Sequence, residues 1–370
     1  MRNHTLTWCG TPLHFKSLSV CHVPQGETEI QNNYNHYAPG GPLLIFPITA
    51  FGWILHKAGL FSVREVDPLL FWSVIGVYIA FLLLLILLFE LAFALLKNEK
   101  RAFLTTVAIS AGNPVLFYVF RRPLMVHSQE ILLAVGFFFF SYKWWVSANK
   151  RALWAMAFGV TAGLIFLTRI NDAFMVAVGG IILFFGNSKR TQDRLQHLAA
   201  YGVGASFSMA IFFYNQYAQT GSIVFHPEKY DYATAQISFF EFHLFNLRRY
   251  FDFFLGTHWG MYLLLPILLL ETAVIFKVNS YWLGLFKKYK LMFTSIFLVV
   301  LLQINFLANY PTNSMSYSNR YTVIFTYFFH VMFLISWSKA PTLWESKKKL
   351  LEWGAAFLVL LGTMNMLNFE

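Results

Sequence analysis

A histidine and a carboxylate stand three positions apart in Arg121-Arg122-Pro123-Leu124-Met125-Val126-His127-Ser128-Gln129-Glu130, just ahead of a long apolar run. On a helix that spacing puts His127 and Glu130 on one face. Together they can hold a divalent metal such as Mg or Mn, or orient a substrate hydroxyl. The same residues can also do no more than start a helix, with Ser128 as N-cap and Glu130 favoured by the macrodipole.

Cationic partners for an anionic substrate occur twice. Gly163-Leu-Ile-Phe-Leu-Thr168-Arg169-Ile-Asn171-Asp172 closes an apolar run with an Arg and an Asp. The planar guanidinium of Arg169 can take a lipid phosphate in a bidentate way, or it can be an interfacial anchor paired with Asp172. Arg320, in Ser316-Tyr317-Ser318-Asn319-Arg320-Tyr321, leads into another apolar run. A charge at that depth is costly unless it is paired or bound to an anion, which makes Arg320 the stronger candidate. Glu90 and Glu271 also lie in apolar runs, near ends that water or a basic loop can reach, and are read as structural.

The elements that must position these groups are membrane spans. Apolar runs cover about 69–96, 102–120, 130–147, 152–168, 172–186, 197–216, 261–276, 291–309, 320–337 and 352–368, and a span needs about 20 such residues. The expected fold is therefore all-α, a polytopic integral membrane protein with about ten transmembrane helices. Seventeen of the 28 Lys and Arg fall in five short loops, around Lys97–Arg101, Lys143–Arg151, Lys189–Arg194, Lys277–Lys290 and Lys339–Lys349. These loops alternate with the ones that hold the polar motifs. Lys and Arg near span ends resist translocation, so the basic loops are cytoplasmic and the motifs face out. A further apolar stretch, Gly41–Leu60, would reverse that parity if it crossed. It is read as a re-entrant or interfacial outer helix, turned sharply at Pro39-Gly40-Gly41-Pro42 and forming a wall of a site.

Composition fits this class: 57% of residues are hydrophobic and 12% charged, against about 25% charged in soluble domains. The net charge of +11 sits in the short basic loops, which favours anionic lipid over nucleic acid as the partner. Residues 1–40 form an extracytoplasmic segment without the features of a signal peptide, and a preceding span is expected to be missing from this chain. Cys9 and Cys21 lie there, placed either to form a disulfide or to remain thiols. The membrane domain fills 41–370, with an outer loop at about 217–260 whose stretch Phe242–Phe251 reads as an aromatic helix lying in the interface.

In order along the chain, Tyr37-Ala-Pro-Gly-Gly-Pro-Leu-Leu-Ile-Phe-Pro47, His127/Glu130, Gly163…Thr168-Arg169, Tyr214-Asn215 with Thr220-Gly221-Ser222, Gly256-Thr-His258-Trp259-Gly260 and Ser316–Tyr321 resemble polytopic GT-C glycosyltransferases. More narrowly, they resemble the dolichyl- or polyprenyl-phosphate-sugar-dependent mannosyl- and aminoarabinosyltransferase-like proteins of bacteria. The resemblance covers about residues 35–330. It implies transfer of a sugar from a polyprenyl-phosphate-linked donor to a glycan, lipid or protein acceptor on the non-cytoplasmic face of the bacterial inner membrane. It implies a catalytic carboxylate, a role open to Glu130 with His127 or to Glu27 and Glu29 in the place of the family's usual acidic loop, where Glu27 and Glu29 can equally be solvated loop residues. Arg320, Arg122, Arg169, Asn319, Tyr321 and His258 would bind the donor. The sequence departs from the family in lacking the first span, and in Ser318 where the family has Gly before Asn-Arg. Two other classes compete. A lipid or sugar transporter would need an internal repeat or a pair of broken helices, neither of which the sequence reveals, and a non-catalytic membrane scaffold would explain the missing span.

Overall fold

The computed structural model describes residues 40–60, 67–121, 123, 126–169, 172–186, 191–220, 247–256, 261–309, 323–339 and 353–364. Among these every regular element is an α-helix, as the apolar runs predict. The elements are α1 (Gly40–Lys57), α2 (Pro68–Leu96), α3 (Glu99–Ala111), α4 (Val115–Phe120), α5 (His127–Val146), α6 (Arg151–Thr168), α7 (Phe174–Phe185) and α8 (Thr191–Thr220). They continue with α9 (Leu247–Leu255), α10 (Met261–Leu264), α11 (Ile267–Lys277), α12 (Asn279–Lys288), α13 (Lys290–Asn309), α14 (Val323–Ser338) and α15 (Trp353–Met364).

Local chemistry sets several of these boundaries. Asp67 Oδ1 accepts the Leu69 and Leu70 amides at 2.7 and 3.4 Å ahead of Pro68, a favourable first helical residue. Twenty-nine residues later α2 ends on Lys97 in the left-handed conformation, and Asn98 Oδ1 then caps α3 through the Arg101 amide at 2.9 Å. At about 1.5 Å per residue, α2 is long enough to cross a bilayer.

Among the described residues three helices are long and apolar enough to cross a membrane: α2, α6 and Thr191–Asn215 of α8. The pair α11–α12, bent by 69°, would make a fourth, while α7, α13, α14 and α15 are shorter apolar helices. Among the described residues two of the ten apolar runs are interrupted helices. Residues 102–120 are split at Gly112-Asn113-Pro114, and 261–276 at Leu265-Pro266. Broken helices, which the sequence reading did not recognise, are thus present.

Helix directions follow from which small residues meet. A Cβ on Gly159 would strike the Tyr201 carbonyl, one on Gly163 would meet Ala205 and Ser208, and one on Gly204 would strike the Met156 carbonyl. Higher numbers on α6 meet higher numbers on α8, so these helices run parallel, with backbones in contact where only glycine fits. Between α5 and α6 the order reverses: Phe137 packs on Phe158 at 4.4 Å and Phe140 on Trp154 at 6.0 Å between ring centroids. Helix α5 is thus antiparallel to α6, and α6 is parallel to α8.

The apolar stretch after Gly40 is one helix, α1, with Pro47 inside it. It runs antiparallel to the first half of α2, Gly52 packing on Trp72, Gly76 on Ile45, and Thr49 Oγ1 lying 3.2 Å from Ser73 Oγ. The amphipathic segment predicted over 242–251 is helical from Leu247 and docks on α13 through the Tyr250 hydroxyl, which donates to Asn305 Oδ1 at 2.7 Å.

Candidate acid–base site at the meeting of α1, α5 and α6

Four polar side chains converge where α5 begins and α6 ends. Helix α5 starts at His127, one residue before the expected cap. Val126 holds the N-cap position with only its carbonyl, which accepts the Gln129 and Glu130 amides at 3.1 and 3.0 Å. Ser128 Oγ does not cap this helix; it donates to Gln129 Oε1 at 3.1 Å. Glu130 therefore sits in the first turn without its side chain being needed as the cap, and it is fully buried.

The spacing argument for His127 holds: its Nδ1 donates to Glu130 Oε2 at 2.9 Å, and its ring lies 4.5 Å from that of Tyr118. Arg169 ends α6 in an extended conformation, and its guanidinium Nη1 stands 3.5 and 3.4 Å from the two Glu130 oxygens. Those are ion-pair distances rather than tight hydrogen bonds. With its side chain only 10% exposed, Arg169 is turned toward Glu130.

Asp172 completes the group. Its amide donates to the Arg169 carbonyl at 3.0 Å, a turn that folds the Asp back over the end of α6. At 1% exposure its carboxyl is pushed well above the usual carboxylate range, first by burial and then by the neighbouring Glu130 charge, with Arg169 opposing. It hydrogen-bonds Glu130 through one oxygen, while Oδ2 is buried without a partner. Two carboxyls thus share a site with one cation. Asp172 keeps the proton and Glu130, held by Arg169 and His127, keeps the charge.

Helix α1 closes this corner. Cβ atoms on Gly40 and Gly41 would collide with Thr168 and with Val126 respectively, so the start of α1 lies against the end of α6 and the start of α5.

Of the residues singled out in the sequence, the structure brings together Glu130, His127 and Arg169. Glu27, Glu29, Arg122, His258, Asn319, Arg320 and Tyr321, like Cys9 and Cys21, lie outside the described residues. Gly163 has a packing reason, its contact with α8, and in the pair Tyr214-Asn215 Tyr214 is exposed and Asn215 buried. Asp172 was read as a partner for Arg169, and its place beside Glu130 was missed. Among the described residues no three His, Cys, Asp or Glu side chains come together to hold a metal ion. Comparison with family models, with curated proteins and with solved structures finds no match for this chain.

A protonated Asp172 makes a direct prediction. The amide in Asp172→Asn imitates the neutral acid, so the variant should match the parent in stability within about 1 kcal/mol near neutral pH. The folded-state value of Asp172 lies above its unfolded value of about 4. Its contribution is therefore fully present below that value and is lost as pH rises through the raised one. Thermal midpoints in detergent should accordingly fall less with rising pH in Asp172→Asn than in the parent. Equal slopes would show that Asp172 is ionised in the folded protein.

Proposed function

We propose that this protein is a polytopic GT-C-like membrane glycosyltransferase with ten spans, counting α3–α4 and α10–α11 as one each. It would move a sugar from a polyprenyl-phosphate donor to a glycan, lipid or protein acceptor on the non-cytoplasmic face of the bacterial inner membrane. Support comes from the apolar all-helical chain, the alternating basic loops, the ordered motifs and the acid–base group at the end opposite those loops.

The observation that carries the reading is the unpartnered Oδ2 of Asp172 beside the charged Glu130. An inverting transfer needs a proton acceptor for the attacking hydroxyl and cationic help for the departing phosphate. In this reading Oδ2 takes the hydroxyl proton as the acceptor oxygen bonds to the anomeric carbon. The proton already on Asp172 passes to Glu130, so the pair gains one proton in all. The sugar–oxygen bond to the lipid phosphate breaks, and the phosphate leaves with the electron pair toward Arg169, Arg320 and Arg122. Adding and chelating Mg or Mn in the assay measures the effect of a divalent ion on transfer.

Orientation is tested by labelling. In a variant lacking Cys9 and Cys21, a cysteine placed at the exposed Lys100 should resist an impermeant maleimide in intact cells and react after lysis. Strong labelling before lysis would reverse the topology. The donor site is tested at Arg320. Arg320→Ala should abolish transfer from a polyprenyl-phosphate sugar, and Arg320→Lys should restore only part of it, because the bidentate fork is lost. Turnover like the parent's in the Ala variant removes Arg320 from the site.

A second reading, a lipid or sugar transporter, is favoured by one observation: two broken helices meet at a buried Glu271–His330 pair, an arrangement found at transporter binding sites. Uptake of a labelled sugar or lipid into proteoliposomes without covalent transfer would select it.

A further inference from the structure

Away from Glu130, a second group of buried polar side chains lies where the two helix interruptions meet. A Cβ on Gly112, in the α3–α4 break, would stand 3.0 Å from Ile267, which begins α11 after Pro266; one on Gly362 of α15 would stand 3.6 Å from Pro266. Around that junction Asn113, Glu271, Thr326 and His330 are 2%, 1%, 0% and 0% exposed.

Hydrogen-bond accounting fixes where the protons are. Asn113 Oδ1 accepts the Val115 amide at 3.3 Å, so its Nδ2 is the end that faces Thr326 Oγ1 at 2.9 Å and His330 Nε2 at 3.0 Å. An amide nitrogen only donates. His330 Nε2 must therefore be bare, and the ring proton sits on Nδ1, 2.7 and 2.8 Å from the two Glu271 oxygens. In that state no cation among the described residues compensates the Glu271 carboxylate. Among the described residues the titratable groups that face it are His330 and Tyr327, both from α14. Tyr327 packs its ring 5.0 Å from that of His330, and its hydroxyl is buried without a partner. The α3–α4 break contributes the neutral amide of Asn113, and α15 contributes Gly362. An isolated charge in an apolar interior is costly enough that the group takes up a proton instead.

We propose that Asn113, His330 and Glu271 form a proton-binding site in the apolar core, at the junction of the α3–α4 and α10–α11 breaks, with the proton taken up on the Glu271 carboxyl. His330 Nε2 is the wrong acceptor: a proton there would set two donors against each other and push Asn113 off the ring, opening the junction of the two breaks. Asn113 thus acts as a positioning residue that keeps His330 in its Nδ1–H form and directs the proton to Glu271. This site stands apart from the Glu130 group and does not depend on the reaction proposed for it.

The test is a pH titration of the full chain in lipid nanodiscs, from about pH 8 to about pH 5, followed by infrared spectroscopy of protonated carboxyl groups and by ¹⁵N NMR of labelled histidine. It is run in an Asp172→Asn background to remove that carboxyl. The expected result is a carboxyl band of one group per chain that grows as pH falls and is absent in Glu271→Gln, together with a His330 signal, identified by its loss in His330→Gln, that keeps a bare Nε2 throughout. If Glu271→Gln does not fold, Glu271→Asp, which keeps the acid, must shift the band. An unchanged band in these variants, no band at all, or conversion of His330 to imidazolium in the folded protein overturns the proposal.

Discussion

Glu130→Ala should cost this protein about 3–5 kcal/mol of stability, the scale of removing one partner from a buried ion pair. The carboxylate is fully buried and meets Arg169 at 3.4 Å and His127 at 2.9 Å, so its loss leaves the guanidinium in the interior without that counter-charge. The cost belongs to the stranded Arg169 more than to the lost contact. Replacing both partners by apolar residues, as in Glu130→Leu with Arg169→Met, should therefore be milder than the single change. Denaturant or thermal unfolding in one detergent compares the parent, Glu130→Leu, Arg169→Met and the double variant. A double variant that loses as much as the sum of the two single ones would show that the pair is not coupled.

A different substitution at the same position separates chemistry from stability. Glu130→Gln keeps size and most hydrogen bonds but cannot receive the proton that Asp172 passes on. Transfer should fall by roughly a hundredfold or more, as for a lost general acid–base group, while the variant folds. Asp172→Asn should lose transfer in the same way with little change in stability, because an amide cannot relay a proton through its two ends. Parent-like turnover in either variant assigns the group a structural role and moves the search for the base to Glu27 and Glu29.

The sequence carried the helical class and the three converging residues, and the reasons are physical. Apolar runs of span length form helices because the backbone must satisfy its own hydrogen bonds in lipid, and a three-residue spacing on a helix brings His127 to Glu130. What escaped the reading needed tertiary information. Asp172 looked like a salt-bridge partner for Arg169, because sequence proximity says nothing about the turn that lays it over Glu130. Glu271 was read as accessible from a span end; in the fold His330, 59 residues away, covers it and it is 1% exposed. Here a signal was available. Asn113-Pro114 inside one apolar run, Pro266 inside another and His330 in the middle of a third mark breaks and an ionisable group at membrane depth, which is where function concentrates. Ser128 is not the cap because the helix starts at His127, two residues earlier than that cap requires, a shift within the ordinary spread of helix ends.

The central claim is that the chain transfers sugar from a lipid phosphate using the group at the start of α5. The most direct measurement is single-turnover transfer by the purified protein in lipid nanodiscs, supplied with a labelled polyprenyl-phosphate sugar and a cell-envelope acceptor extract, with and without a divalent ion. The account predicts that the label moves from donor to acceptor in the parent protein and not in Glu130→Gln. A folded parent protein that binds the donor and never releases free polyprenyl phosphate, or equal transfer by both proteins, would contradict it.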